Sequence, residues 1–187
     1  MSRFDWLALL AGGAIGLGAL ETGPGAAAQD RGEAVELGGL TSRVPAGWAG
    51  ERPDDPRYHR QYRLGPVGND KEDARLTVEP LGTGRARPAG EYVRRWQEGF
   101  LPPEGRTMGE AARVRGLRVG GAAATYLDVR GDYKGVPGDP TSPRPDYRLL
   151  GVYLETPRGP YLIRLFGPAD TVEFYRQDFE GWVKGFK

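Results

Sequence analysis

His59 is the only histidine in the chain, and cysteine is absent. Together these facts remove most of the chemistry a chain of this size usually performs. Thiol nucleophiles, thiolate metal sites, structural disulfides and a lipid-modified leader cysteine all need cysteine. A histidine-based zinc site needs a second histidine. A Ser-His-Asp relay would have to use His59, with Ser42 or Ser142 as nucleophile beyond the first 28 residues, and neither serine stands in a G-x-S-x-G elbow. His59 sits on the polar side of an alternating stretch, where a surface histidine is the plain reading. No catalytic residue, metal or cofactor is expected from this inventory.

Anion chemistry has one candidate. Gly82-Thr83-Gly84 follows an apolar run and precedes a helical one, as a phosphate loop does. Arg87 stands where G-x-G-x-x-G requires its third glycine, and no Gly-Lys-Ser/Thr occurs. What remains is Arg85 and Arg87 near a helix N-terminus, a place that favours negative charge. A plain loop is the competing reading. Paired carboxylates of the glycosidase kind need a fixed separation across a cleft. Asp128, Asp132 and Glu155 fall on or near strands, and arginine-paired faces account for them equally well. Arg130-Gly131-Asp132 spells an adhesion tripeptide, and a strand end entering a turn explains it. Tyr126, Tyr133, Tyr147, Tyr153 and Tyr161 crowd one part of the sequence; cross-strand packing is the default reading, and a ligand-stacking face the alternative.

The positions holding these residues follow from composition and period. The chain has 187 residues, 39% hydrophobic and 27% charged, with 30 glycines and 16 prolines. That predicts one domain with a modest core and punctuated loops. The formal net charge is +1. Lys71, Lys134, Lys184 and Lys187 are the only lysines, and acids are interspersed among the arginines throughout. Nucleic-acid binding needs basic charge gathered on one face, so no nucleic-acid partner is expected. Trp6–Leu20 is an apolar run behind Arg3, followed by a helix-breaking stretch and Ala26-Ala27-Ala28, the pattern of a secretory signal. Cleavage after Ala28 is expected, which places the chain in the periplasm or outside the cell; uncleaved, the run is a membrane anchor. Residues 1–28 are thus read as a signal peptide, 29–36 as a flexible N-terminal segment and 37–187 as the folded domain.

Leu40–Val44 reads as a strand ending in a turn that drops Trp48 into the core. Tyr58–Leu64 and Arg75–Leu81 alternate as half-buried strands, and Pro80 suggests that the second ends at an edge. In Glu91–Phe100 the period changes: Tyr92, Val93, Trp96 and Phe100 form one helical stripe, bounded by Pro88 and Pro102-Pro103. Glu110–Val119 and Gly121–Arg130 are strands joined at Gly120-Gly121. Gly131–Asp146 is a long loop with a mobile tip. Tyr147–Glu155 and Tyr161–Phe166, apolar on both faces, belong at the centre of the sheet. Asp170 to Glu173 reads as a capping box opening a helix with Val172, Tyr175, Phe179, Trp182, Val183 and Phe186 on one stripe. The fold class expected is α+β: a mostly antiparallel sheet of about six or seven strands with two helices packed on it.

In this order the motifs resemble a known group. Leu40–Trp48, LTSRVPAGW, is similar to the opening strand and P-x-G-W turn of the PsbP-like superfamily. Arg95-Trp96 and Phe100 resemble the R-W-x-x-x-F helix of uncharacterised exported bacterial members. Gly159-Pro160-Tyr161, Gly167-Pro168, Thr171-Val172 and Phe179 resemble their endings. The resemblance covers most of residues 37–187 and implies an α/β/α sandwich. It also implies a non-enzymatic accessory role on a protein or membrane-associated complex. Fold does not carry function with it, so a small-ligand carrier stands as the alternative, with a carboxylate-dependent hydrolase third.

Overall fold

A computed structural model describes residues 32–135 and 143–187. The leader and its cleavage site, Ser142 and the tip of the Gly131–Asp146 loop lie outside the described residues. In chain order the elements are β1 (Ala34–Leu37), β2 (Leu40–Arg43), β3 (Ala49–Glu51), β4 (Arg60–Leu64), β5 (Ala74–Pro80), α1 (Gly82–Arg85), α2 (Ala89–Glu98), β6 (Phe100–Leu101), α3 (Met108–Ala111), β7 (Ala112–Val119), β8 (Ala122–Tyr133), β9 (Arg144–Thr156), β10 (Gly159–Pro168) and α4 (Ala169–Lys184).

Eight of the strands form one antiparallel sheet, in the order β3-β4-β5-β10-β9-β8-β6, with β7 also on β8. The three-residue β3 and two-residue β6 are too short to show a period and bring the number above the six or seven read from the sequence. As their composition demands, β9 and β10 are interior. Leu150, Val152 and Leu154 of β9 enter one core and Leu149 and Tyr153 enter another; Ile163 and Leu165 of β10 divide from Leu162 in the same way. The first core lies under α4 and holds Phe179, Trp182, Val183 and Phe186. The second lies under α2 and holds Tyr92, Val93, Trp96 and Phe100. Two helices on opposite faces of one antiparallel sheet make an α+β sandwich of three layers.

Several local readings change. Ala34–Leu37 is a strand, so the flexible segment expected over 29–36 does not reach its end; Gly38 and Gly39 take positive φ (58° and 99°) and turn the strand back onto β2. Gly120 and Gly121 turn β7 into β8 by the same device (55° and 81°). The hairpin β1–β2 is fixed to α4: the Ser42 hydroxyl donates to the Trp182 carbonyl at 2.9 Å, and the Thr41 N–H donates to the Lys187 carbonyl at 2.9 Å. β8 runs to Tyr133 and β9 begins at Arg144, so both strands advance into what the sequence marks as loop. Pro80 ends β5 where β4 has already stopped, since Arg60 pairs Val78 and nothing of β4 reaches further; its missing N–H costs no pair with β4.

The expected capping box at Asp170–Glu173 does not form. α4 begins two residues earlier than that box requires, at Ala169, with Pro168 as its N-cap. One of its free N–H groups is met from elsewhere: Asp70 Oδ2 accepts from the Thr171 N–H at 2.8 Å and from the Thr171 hydroxyl at 2.6 Å. Glu173 is drawn away by Arg148 and Arg176. A capping box does occur at α3, where Thr107 and Glu110 bond each other's backbone; the T-x-x-E spacing signals it.

Candidate functional site

In β5, Leu76 and Val78 face the α4 core, so Arg75, Thr77 and Glu79 project from the other side. In β10 the same alternation puts Arg164 beside Thr77, its register partner. α2 lies over β9 and β8. It therefore covers only part of its face of the sheet, and a groove opens between it and the polar side of β5 and β10. The cavity is about 370 Å³. Trp96, Phe100 and Phe166 give it apolar walls, with Tyr133 and Leu149; Arg75, Arg95 and Arg164 line it too.

Each wall is positioned by a particular device. The α2 stripe turns Trp96 down onto β9 at Gly151, where a Cβ would stand 2.6 Å from the indole Cζ3. Only a residue without a Cβ lets the ring approach so closely. Phe166 sits edge-on to Tyr133 at 4.8 Å and to Phe100 at 6.3 Å between ring centres. Edge-to-face geometry of this kind holds aromatic walls in fixed orientation.

The charges are unevenly spent. Arg164 Nη2 donates to Glu79 at 3.1 Å, and its guanidinium lies 5.5 Å from the Tyr58 ring centre. Its Nε is buried without a hydrogen-bond partner. Arg75 donates to Asp54 at 2.6 Å. Arg95 is exposed on α2 and makes no ion pair among the described residues. No carboxylate lines the cavity itself. Among the described residues two acids thus bond two of the three guanidiniums, and Arg95 is the one left without an ion pair.

A second cleft continues past Arg95, Trp96 and Arg164 to Arg57 and Arg87. Here the cations are paired. Arg57 holds the Asp55 carboxyl down to about 2 through hydrogen bonds at 2.6 and 3.0 Å. Arg87 donates to Glu91 at 3.2 Å, so this anion-site candidate reaches the cleft with its charge already met. The Arg85 side chain lies outside the described set. Gly82–Arg85 is a single helical turn rather than a loop.

The other candidates stand apart from the groove. The His59 backbone N–H donates to the Val78 carbonyl at 2.7 Å, and its ring is held below the ordinary histidine pKa by burial and by Arg60; among the described residues Ser42 is not available to it, since its hydroxyl is spent on the Trp182 carbonyl. Asp128 accepts two bonds from Arg148, both 2.7 Å, and Asp132 accepts the Asp146 N–H at 3.0 Å. Glu155 is exposed on β9. The three acids therefore do not converge. Arg130 grips Asp146 through two 2.7 Å bonds, and Gly131 lies in β8 against the Leu101 carbonyl, so the tripeptide is strand rather than an exposed loop. The tyrosines divide between faces: Tyr126 packs in the α4 core and bonds Glu180 at 3.2 Å, while Tyr153 stacks on Tyr92. Among the described residues no group of three or more His, Cys, Asp or Glu is arranged to hold a metal, and no helix is long and apolar enough to cross a membrane.

Sequence reasoning missed Arg75, Arg95 and Arg164. One sign was present: Arg164 interrupts an otherwise apolar strand that belongs at the sheet centre, where an arginine needs a partner or a use.

No family model and no curated protein matches the sequence. Solved structures do match in fold. The cyanobacterial PsbP (CyanoP) of Synechocystis, a solution structure, covers 91% of this chain and 99% of its own at 14% identity and TM-score 0.52. A Pseudomonas aeruginosa protein of unknown function, PA94, covers 81% and 93% at 16% identity and TM-score 0.45. The Ran-binding protein Mog1p of Saccharomyces cerevisiae covers 83% and 94% at 14% identity and TM-score 0.45. The likeness to the cyanobacterial protein shows that the chain has a PsbP-like fold.

Proposed function

We propose that this is a non-catalytic binding domain, exported behind the leader at residues 1–28, that acts as an accessory to a protein or membrane-associated complex and holds its partner in the α2 groove. The observation that carries this reading is the half-covered sheet face. A helix that closed the face would bury Arg75 and Arg164 uselessly; stopping short leaves an aromatic-walled recess with one unanswered cation. Recesses of a few hundred Å³ with a few convergent polar groups are the usual form of a binding site. The acids and the single histidine are occupied or scattered, which supports binding over turnover.

A photo-crosslinking residue placed at Tyr58, on the groove wall, tests the reading in intact cells. One discrete adduct with an envelope protein, absent when the residue replaces Phe174 on the exposed α4 face, is the expected result. No adduct, or the same adducts from both positions, overturns it. A small-ligand carrier is the second reading, favoured by the size of the recess and its aromatic walls; it predicts a bound small molecule in protein purified from envelope extract.

A further inference from the structure

The groove's chemistry narrows what it accepts. Its walls are rings: Trp96, Phe100, Tyr133, Phe166 and Tyr58. Flat apolar groups are the natural complement to such walls. The groove also holds three guanidiniums and no carboxylate of its own. Asp54 and Glu79 answer Arg75 and Arg164 from beside it, and among the described residues Arg95 has no ion-pair partner. The balance is one positive charge, which matches one negative charge on the occupant. A guanidinium recognises a carboxylate through two parallel N–H donors, and the bond is strengthened where water is partly excluded. The recess is too small for a folded surface and is about the size for one large side chain with its neighbouring backbone.

We infer that the groove binds an aromatic monocarboxylate, its ring between Trp96 and Phe166 and its carboxylate on Arg95. The inference rests on the groove being the binding site. Two sources share this chemistry: the C-terminal aromatic residue of a partner protein, with its free α-carboxylate, and a free aryl acid. Simple anions lack the ring, and neutral aromatics lack the charge, so neither satisfies both halves of the site.

The test is a titration of the whole domain followed by the indole N–H signals in ¹H–¹⁵N NMR. The probes are the tripeptide Gly-Gly-Phe, its C-terminal amide, 3-phenylpropionate and inorganic phosphate. Saturable shifts at the Trp96 indole are expected with Gly-Gly-Phe or 3-phenylpropionate, with Trp48 and Trp182 still, because those two lie on the opposite face of the sheet. Tighter binding of the peptide assigns the partner's C-terminus; tighter binding of 3-phenylpropionate assigns a free acid. Arg95→Gln should weaken binding about tenfold or more, as expected for a lost charge-assisted bond. Arg94→Gln, one residue away and paired with Glu98, should leave it unchanged. Because both side chains are exposed, neither change threatens folding. The proposal fails if no carboxylate shifts Trp96, if the amide or phosphate binds as well as the acid, or if Arg95→Gln has no effect. If it fails while the Tyr58 crosslink persists, the groove still binds a partner and only this chemistry is wrong. If the crosslink is absent too, both readings fall.

Discussion

Trp96 and Gly151 are in closer contact than any side chain at position 151 would permit: a Cβ there would stand 2.6 Å from the indole Cζ3 and 2.7 Å from Cε3. The contact seats α2 on β9 and fixes one wall of the groove. Gly151→Ala should therefore push the helix outward, costing about 2 kcal/mol as overpacking. The denaturant midpoint should fall, and the Trp96 indole signal should move while those of Trp48 and Trp182 hold. An unchanged midpoint would mean that α2 is seated by something else.

Asp70 caps α4 from a loop 101 residues earlier in the chain. Asp70→Ala should cost about 1–2 kcal/mol, the usual range for a lost helix cap. Asp70→Asn keeps an acceptor oxygen and should cost less. Asp170→Ala, at the position a sequence reader would choose, should cost little, since Asp170 is exposed and makes no cap bond. Urea denaturation of the three variants ranks them; equal losses at 70 and 170 would contradict the assignment.

Asp128 and Arg148 meet through two 2.7 Å bonds with side chains only 16% and 14% exposed. Removing one partner strands the other. Asp128→Ala should cost about 2–3 kcal/mol, at or just below the ~3–5 kcal/mol usual for a broken buried pair, because Glu173 still reaches Arg148. Combining Asp128→Leu with Arg148→Met should recover most of that loss, as apolar replacements of buried pairs often do. A double variant as weak as the single one would show that the pair supplies more than charge balance.

Glu180 gathers Arg115 at 3.1 Å, Lys184 at 3.5 Å and the Tyr126 hydroxyl at 3.2 Å. Burial raises its pKa, but these partners outweigh burial and hold it below the ordinary glutamate value. The folded pKa lies below the unfolded one, so the stabilisation is complete above the unfolded value. It is lost as pH falls through the folded value. Glu180→Gln should lower stability at pH 7 by on the order of 1 kcal/mol and flatten the decline of melting temperature below about pH 4.5. A variant with the same acid slope as the parent would count against this.

The layers were readable because their signals are local. Tyr92, Val93 and Trp96 recur at helical spacing within ten residues, and the apolar runs of β9 and β10 can be satisfied only with core on both sides. β1 escaped because four residues ending in a Gly-Gly turn carry too little pattern beside a polar start. The cap on α4 escaped because its acceptor is distant in the chain, and Asp170 offers a plausible local decoy. The groove was invisible for a related reason. Arg75, Thr77 and Arg164 become neighbours only through the register of β5 on β10, and the recess exists only because α2 lies over β9 and β8 rather than over that pair. Arg87 was found since it stands beside a recognisable helix start, yet Glu91 spends its charge. Arg95, eight residues on, stands in the R-W-x-x-x-F pattern, but that pattern marks a helix and gives no sign of the groove the side chain borders.

The clasp between β2 and α4 also bears on how the chain is made. Ser42 and Trp182 are 140 residues apart, and Thr41 exchanges backbone bonds with Lys187 in both directions. At ~5–20 residues per second on the ribosome, the opening hairpin waits on the order of ten seconds for the helix that shelters Val35 and Leu37. Until α4 is made, the sheet face whose core holds Val35 and Leu37 has no cover, so its apolar residues are among the last to leave water.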